Sequence, residues 1–163
     1  HSDGHGKGSE FVVRLPLGDT PYSTSDSGIL TVTVANKHRV LVVDDNVDAA
    51  QSLAMVLRLK GHTVSVAHIG RKALELARKE RPEFAFLDQG MPPPNGYEVA
   101  RALRGLPDMQ HLTLIALTGY GQDEHRHLSR EAGFDLHLVK PVDADAVEKI
   151  FAAHDARLAA ASR

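Results

Sequence analysis

From residue 38 onward, short apolar runs alternate with segments whose apolar residues recur every three or four positions. Five runs stand out: residues 40–43 (VLVV), 63–67 (TVSVA), 84–87 (FAFL), 112–117 (LTLIAL) and 136–139 (LHLV). Several are continuous rather than alternating, as strands covered on both faces require. Between them the spacing turns helical. Ala50, Leu53, Ala54 and Leu57 follow the i, i+3, i+4, i+7 pattern, with Gly61 as a stop. Ala73, Leu74 and Ala77 mark a second helix, Val99, Ala100 and Leu103 a third, and Val147, Ile150, Phe151, His154 and Leu158 a fifth. The fourth, residues 122–132, offers only Leu128 and Ala132 as apolar anchors, which predicts a loosely packed, exposed helix. Strand–helix alternation repeated five times implies right-handed crossovers and a parallel sheet. The expected fold is a doubly wound α/β domain over residues 38–158, with a five-stranded parallel sheet in the order 2-1-3-4-5 and helices on both faces. Residues 159–163 are expected to form a C-terminal tail.

The first 37 residues have a different texture. Residues 1–9 (HSDGHGKGS) are polar and Gly-rich, residues 10–17 (EFVVRLPL) read as a strand stopped at Pro16, and residues 18–28 have a linker's composition. Residues 29–34 (ILTVTV) alternate and predict an extended strand within the 18–37 linker. The chain opens on His1 rather than Met, and is expected to be a piece of a longer protein.

Composition narrows the class. Residues 1–37 carry three basic and four acidic groups and residues 38–163 sixteen and seventeen, so neither part reads as a nucleic-acid tail or a polybasic membrane patch. With no cysteine, disulfides, thiolate metal sites and a Cys nucleophile are excluded. No apolar run approaches the ~18 residues of a membrane span. The expectation is a cytoplasmic globular chain without direct nucleic-acid or membrane contact, with a membrane anchor allowed in its parent.

In doubly wound sheets, ligands bind beyond the carboxyl ends of the strands, where the strand order reverses. The first run ends in Asp44 and Asp45, the third in Asp88, the fourth in Thr118 and the fifth in Lys140. The expected order brings the three carboxylates into one crevice flanked by Thr118 and Lys140. Two like charges about 4 Å apart repel by about 4 kcal/mol at an effective dielectric of 20, and one lysine does not cancel three acids. A divalent cation closes the gap, and an all-oxygen donor set favours Mg²⁺. One carboxylate then becomes available as a nucleophile towards phosphorus, with Thr118 and Lys140 placed to hold phosphoryl oxygens. Taken singly these residues have simpler roles: an acidic pair after a strand often caps the next helix, and Asp45 or Asn46 is suited to that.

These stretches, VLVVDDN (40–46), FLDQGMPPPNGYE (86–98), ALTGYG (116–121) and AGFDLHLVKPVD (132–143), resemble the receiver (response-regulator) domain of two-component signalling. The resemblance implies that Asp88 is the phosphoacceptor, that Asp44, Asp45, Asp88 and the Gly90 carbonyl hold Mg²⁺, and that Thr118 and Lys140 assist. It further implies a cis Lys140–Pro141 peptide, a phosphohistidine-bearing kinase or phosphotransfer domain as partner, and slow self-dephosphorylation. The chain departs from the family pattern in three places: Gln89 replaces an apolar residue, residues 92–94 are three prolines, and His137 stands where Tyr or Phe is usual. Residues 6–17 (GKGSEFVVRLPL) resemble the last Gly-rich loop and strand of a histidine-kinase ATPase domain. Residues 1–17 are therefore expected to be the end of that domain, in a hybrid sensor histidine kinase, with too little of it to bind ATP.

Two other functions remain open at this point: an aspartyl-phosphate hydrolase of small phosphate esters, and an unphosphorylated interaction module of the same fold. The hydrolase needs a general acid two residues after the nucleophile, where this chain has Gly90. Of the ten histidines, His125 and His127 are expected on different helix faces, and His1 and His5 in a flexible tail.

Overall fold

In a computed structural model the described residues are 36–119 and 126–161. The expectations for residues 1–17, for most of the 18–37 linker and for residues 122–125 fall outside them. The described chain alternates β1 (Arg39–Val43), α1 (Val47–Leu59), β2 (Thr63–Ala67), α2 (Gly70–Glu80), β3 (Phe84–Asp88), α3 (Gly96–Arg104), β4 (Thr113–Thr118), α4 (Arg126–Ala132), β5 (Leu136–Val139) and α5 (Ala144–Ala161). A 3-10 turn at Pro107–Met109 joins α3 to β4. The five strands form one sheet in the order β2-β1-β3-β4-β5, and every pair is parallel.

The continuous apolar runs are explained by two separate cores. Successive strand residues face opposite sides of a sheet. Val40 and Val42 join Phe84, Phe86, Ile115 and Leu117 beneath Ala50, Ala54, Leu57, Val147 and Phe151 of α1 and α5. Leu41 and Val43 instead join Ala85, Leu87, Leu114 and Ala116, covered by α2, α3 and Ala132 of α4. Between their ends, the inner strands β1, β3 and β4 therefore need an apolar side chain whichever way each residue points.

Local signals set the helix ends. Asn46 caps α1, its side chain accepting from Ala49 N–H at 3.0 Å, so the capping role falls to Asn46 and leaves Asp45 free. Asn95 and Glu98 form a reciprocal capping box at α3. Gly61 follows α1 with φ +94°, a conformation that strains any residue with a Cβ.

Two apolar expectations are corrected. Leu128 is 42% exposed, and α4 is anchored by Ala132 and by the buried polar residue Ser129. Leu158 is 57% exposed, because α5 runs to Ala161 past the last strand residues it covers. That helix also occupies most of the expected C-terminal tail.

Candidate functional site

The carboxyl ends of β1 and β3 are neighbours, since Val43 pairs with Leu87. The chain leaves β1 through Asp44 and Asp45, and β3 ends on Asp88. One carboxylate oxygen of each of Asp44, Asp45 and Asp88 lies within 4.8 Å of the others. Asp44 is buried (1% exposed) and Asp45 exposed.

Lys140 binds this cluster together. Its Nζ lies 2.6 Å from Asp44 Oδ2 and 3.1 Å from Asp88 Oδ2. Burial lowers the Lys140 pKa, but the hydrogen bonds and charges of Asp44 and Asp88 outweigh it and hold the ammonium above the ordinary lysine value. A raised lysine pKa means the pairing is fully present at neutral pH and is lost only in strong alkali. The second carboxylate oxygens of Asp44 and Asp88 are met by backbone donors: Asn46 N–H donates to Asp44 Oδ1 at 2.9 Å and Gly90 N–H to Asp88 Oδ1 at 3.1 Å. Thr118 closes β4 beside β3 and is 8% exposed, its hydroxyl donating to the Leu138 carbonyl at 3.4 Å. The Lys140 N–H donates to the Thr118 carbonyl at 2.8 Å, which ties the two strand ends together. The Lys140–Pro141 peptide is cis.

All the carboxylates and the ammonium named from the sequence thus meet at one edge of the sheet. Gly90 meets the cluster through its N–H. Three acids against one ammonium leave a net charge of −2 on a set of hard oxygen donors, which suits a Mg²⁺-sized cation.

Gln89 has a role that sequence reasoning missed. It is buried directly after Asp88, accepts from the Tyr97 hydroxyl at 3.0 Å, and donates from Nε2 to Ser129 Oγ at 2.5 Å. One side chain therefore joins the end of β3 to both α3 and α4. The available signal was a polar residue in an apolar position, matched by a serine on the one helix with a poor apolar stripe. Gln89→Leu should cost about 1 kcal/mol and speed amide exchange across residues 126–132, leaving Mg²⁺ affinity unchanged; unaltered exchange would show that the bridge does not hold α4. Met91, by contrast, is packing: it is 4% exposed within the α2–α3 core. His137 lies half-buried on β5, its ring 6.3 Å from that of Phe134. His127 is exposed and faces Glu131 at 3.6 Å, and His125 lies outside the described residues.

Residues 40–152 match the model of the response regulator receiver domain. The response regulator MprA of Mycobacterium ulcerans is 40% identical over 103 residues, 63% of this chain and 44% of that protein, so the chain spans less than half of that relative. The chemotaxis protein CheY4 of Vibrio cholerae superposes with a TM-score of 0.68 at 28% identity, over 72% of this chain and 98% of that one. The receiver domain of the sensor histidine kinase PA1611 of Pseudomonas aeruginosa, solved with a magnesium ion in its active-site cleft, superposes with a TM-score of 0.65 at 25% identity, over 71% and 95%. A parallel sheet in the 2-1-3-4-5 order, an acid cluster at its carboxyl edge and a family match across most of the described residues lead to one conclusion: the chain belongs to the response regulator receiver domain family of two-component signalling.

Proposed function

We propose that this receiver accepts a phosphoryl group on Asp88 from a phosphohistidine. The observation that carries the reading is Lys140, which grips one oxygen of Asp44 and one of Asp88 in a cluster left two charges negative. Asp44, Asp45, Asp88 and the Gly90 carbonyl would hold Mg²⁺, as a magnesium ion is held in the cleft of the PA1611 receiver. Bound there, the ion supplies positive charge against the acids and against the phosphoryl oxygens.

In the transfer, an Asp88 carboxylate oxygen forms a bond to phosphorus as the histidine N–P bond breaks, and the electron pair of that bond returns to the imidazole, which takes a proton. Lys140 exchanges part of its contact with Asp88 for a phosphoryl oxygen, and the Thr118 hydroxyl leaves the Leu138 carbonyl to donate to another. Gly90 N–H keeps the Asp88 carboxylate oriented. The donor docks over the cluster and along α1, which exposes Val47 at the end next to the acids and Met55, Val56 and Leu59 in its last turns. The order of a kinase-like segment (1–17), a linker (18–37) and the receiver (38–158) supports a place in a cytoplasmic part of a hybrid sensor histidine kinase. The phosphohistidine then belongs to the parent kinase or to a separate phosphotransfer domain. No helix among the described residues is long and apolar enough to cross a membrane.

Acetyl phosphate with Mg²⁺ should add one base-labile phosphoryl group per chain, read by intact mass, and chelation of the metal should suppress it. Mg²⁺ should also raise the melting temperature by mass action, and Asp45→Ala should remove most of that shift. Failure to incorporate phosphate, or an unchanged Mg²⁺ response in Asp45→Ala, overturns the assignment.

A further inference from the structure

At the opposite edge of the sheet, His38 precedes β1, His62 precedes β2 and Glu83 precedes β3, while the end of α5 brings in His154 and Asp155. His38 is 4% exposed. Its Nδ1 lies 2.8 Å from Glu83 Oε2, within hydrogen-bond reach, so in the neutral ring that donates there Nε2 is the nitrogen available as a ligand. The Nε2 is buried with no hydrogen-bond partner and faces Asp155 Oδ1 at 3.4 Å. His154 Nδ1 is likewise buried without a hydrogen-bond partner, 3.7 Å from the same oxygen. Two buried ring nitrogens without hydrogen-bond partners thus face one carboxylate oxygen, the donor set that a bound cation would join.

The spacing suits a particular kind of cation. Nitrogen and oxygen ligands at 2.0–2.2 Å around a tetrahedral zinc stand about 3.4 Å apart. The two separations to Asp155 lie close to that value, and all three ligand atoms fall within 4.8 Å of one another. Two imidazoles and one carboxylate favour a transition ion over Mg²⁺. Glu83 behind His38 supplies the outer carboxylate that fixes the tautomer and orientation of a histidine ligand. The ring is also held by Phe84 and Phe151, with centroids at 5.1 and 5.0 Å. His62 plays a different part: its Nδ1 accepts from the His38 N–H at 3.2 Å and its ring stacks on His38 at 5.6 Å. A crevice lined by Lys37, Glu83, His111, His154 and Asp155 reaches the cluster and admits water as a fourth ligand.

We propose that His38 Nε2, His154 Nδ1 and Asp155 Oδ1 form a Zn²⁺ site that clips the end of α5 to the start of β1. The site is separate from the acid cluster and independent of phosphorylation.

The test is calorimetric and thermal titration of the full chain with Zn²⁺ under saturating Mg²⁺, which occupies the acid cluster. One Zn²⁺ should bind with micromolar or tighter affinity and, at a hundredfold excess over Kd, raise the melting temperature by about 5–10 °C. Asp155→Asn, which keeps shape and size, and His154→Ala should each weaken binding by at least about tenfold, and Glu83→Gln by about tenfold through loss of its hold on His38. Co²⁺ in place of Zn²⁺ should show the visible absorption of a four-coordinate site. Absence of binding, or an undiminished Zn²⁺ response in Asp155→Asn and His154→Ala, overturns the proposal, the second outcome placing the ion on other histidines.

Discussion

Asp88→Asn should abolish covalent phosphorylation completely while leaving the domain folded. An amide is neither anionic nor nucleophilic, so no bond to phosphorus forms. The substitution keeps the shape of the side chain, and the N–H of Gly90 still has an oxygen to donate to. Lys140 keeps its shorter contact, 2.6 Å to Asp44 Oδ2. Removing one of three mutually repelling carboxylates also relieves a repulsion of about 4 kcal/mol per pair at 4 Å and a dielectric of 20, offset by the loss of one lysine contact. In the absence of Mg²⁺ the variant should therefore melt no lower than the parent chain, and its gain from added Mg²⁺ should shrink. Intact mass after acetyl phosphate treatment reads the first effect and thermal melting the second. Phosphate persisting on Asp88→Asn means another residue is the acceptor.

Gly96→Ala should destabilise the domain by about 3 kcal/mol, a fall of about 6–12 °C in melting temperature. Gly96 is the first residue of α3 and is buried against the end of β3. A Cβ there would stand 2.3 Å from the Asp88 carbonyl oxygen and 2.9 Å from both the Asp88 carbonyl carbon and the Gln89 Cα. These are backbone atoms and cannot rotate aside. Either α3 lifts off, exposing Val99, Ala100 and Leu103, or the Asp88–Gln89 backbone shifts and takes the carboxylate with it. Phosphorylation should slow along with the loss of stability. Gly105→Ala is the matched control: its Cβ meets nothing closer than 3.5 Å and its backbone is right-handed helical, so its melting temperature should be unchanged or slightly raised. Equal melting of the two variants would refute the close approach of α3 to β3.

The strands and the acid cluster were legible for related reasons. Burial on both faces writes a strand as an unbroken apolar run, and β1 and β3 contain the runs at 40–43 and 84–87. The first polar residue after such a run lies at the strand's carboxyl end, so Asp44, Asp88, Thr118 and Lys140 were marked by position. Once the strands are parallel and ordered 2-1-3-4-5, their convergence follows without any side-chain detail.

Other features depended on how helices lie across the sheet. Helical spacing says which residues share a face but not how far that face extends over the strands, so Leu128 and Leu158 read as anchors and are exposed. Gln89 reads as a departure until α3 and α4 bring Tyr97 and Ser129 to it. The alternation of strands and helices, the two-sided burial of the inner strands and the set of residues at the carboxyl edge can be read along the chain, because each is a local consequence of periodicity and of where an apolar run stops. The meeting of His38, Glu83, His154 and Asp155 emerges only in the folded chain, because α5 runs back across the sheet and joins residues more than a hundred positions apart, a contact with no period to announce it.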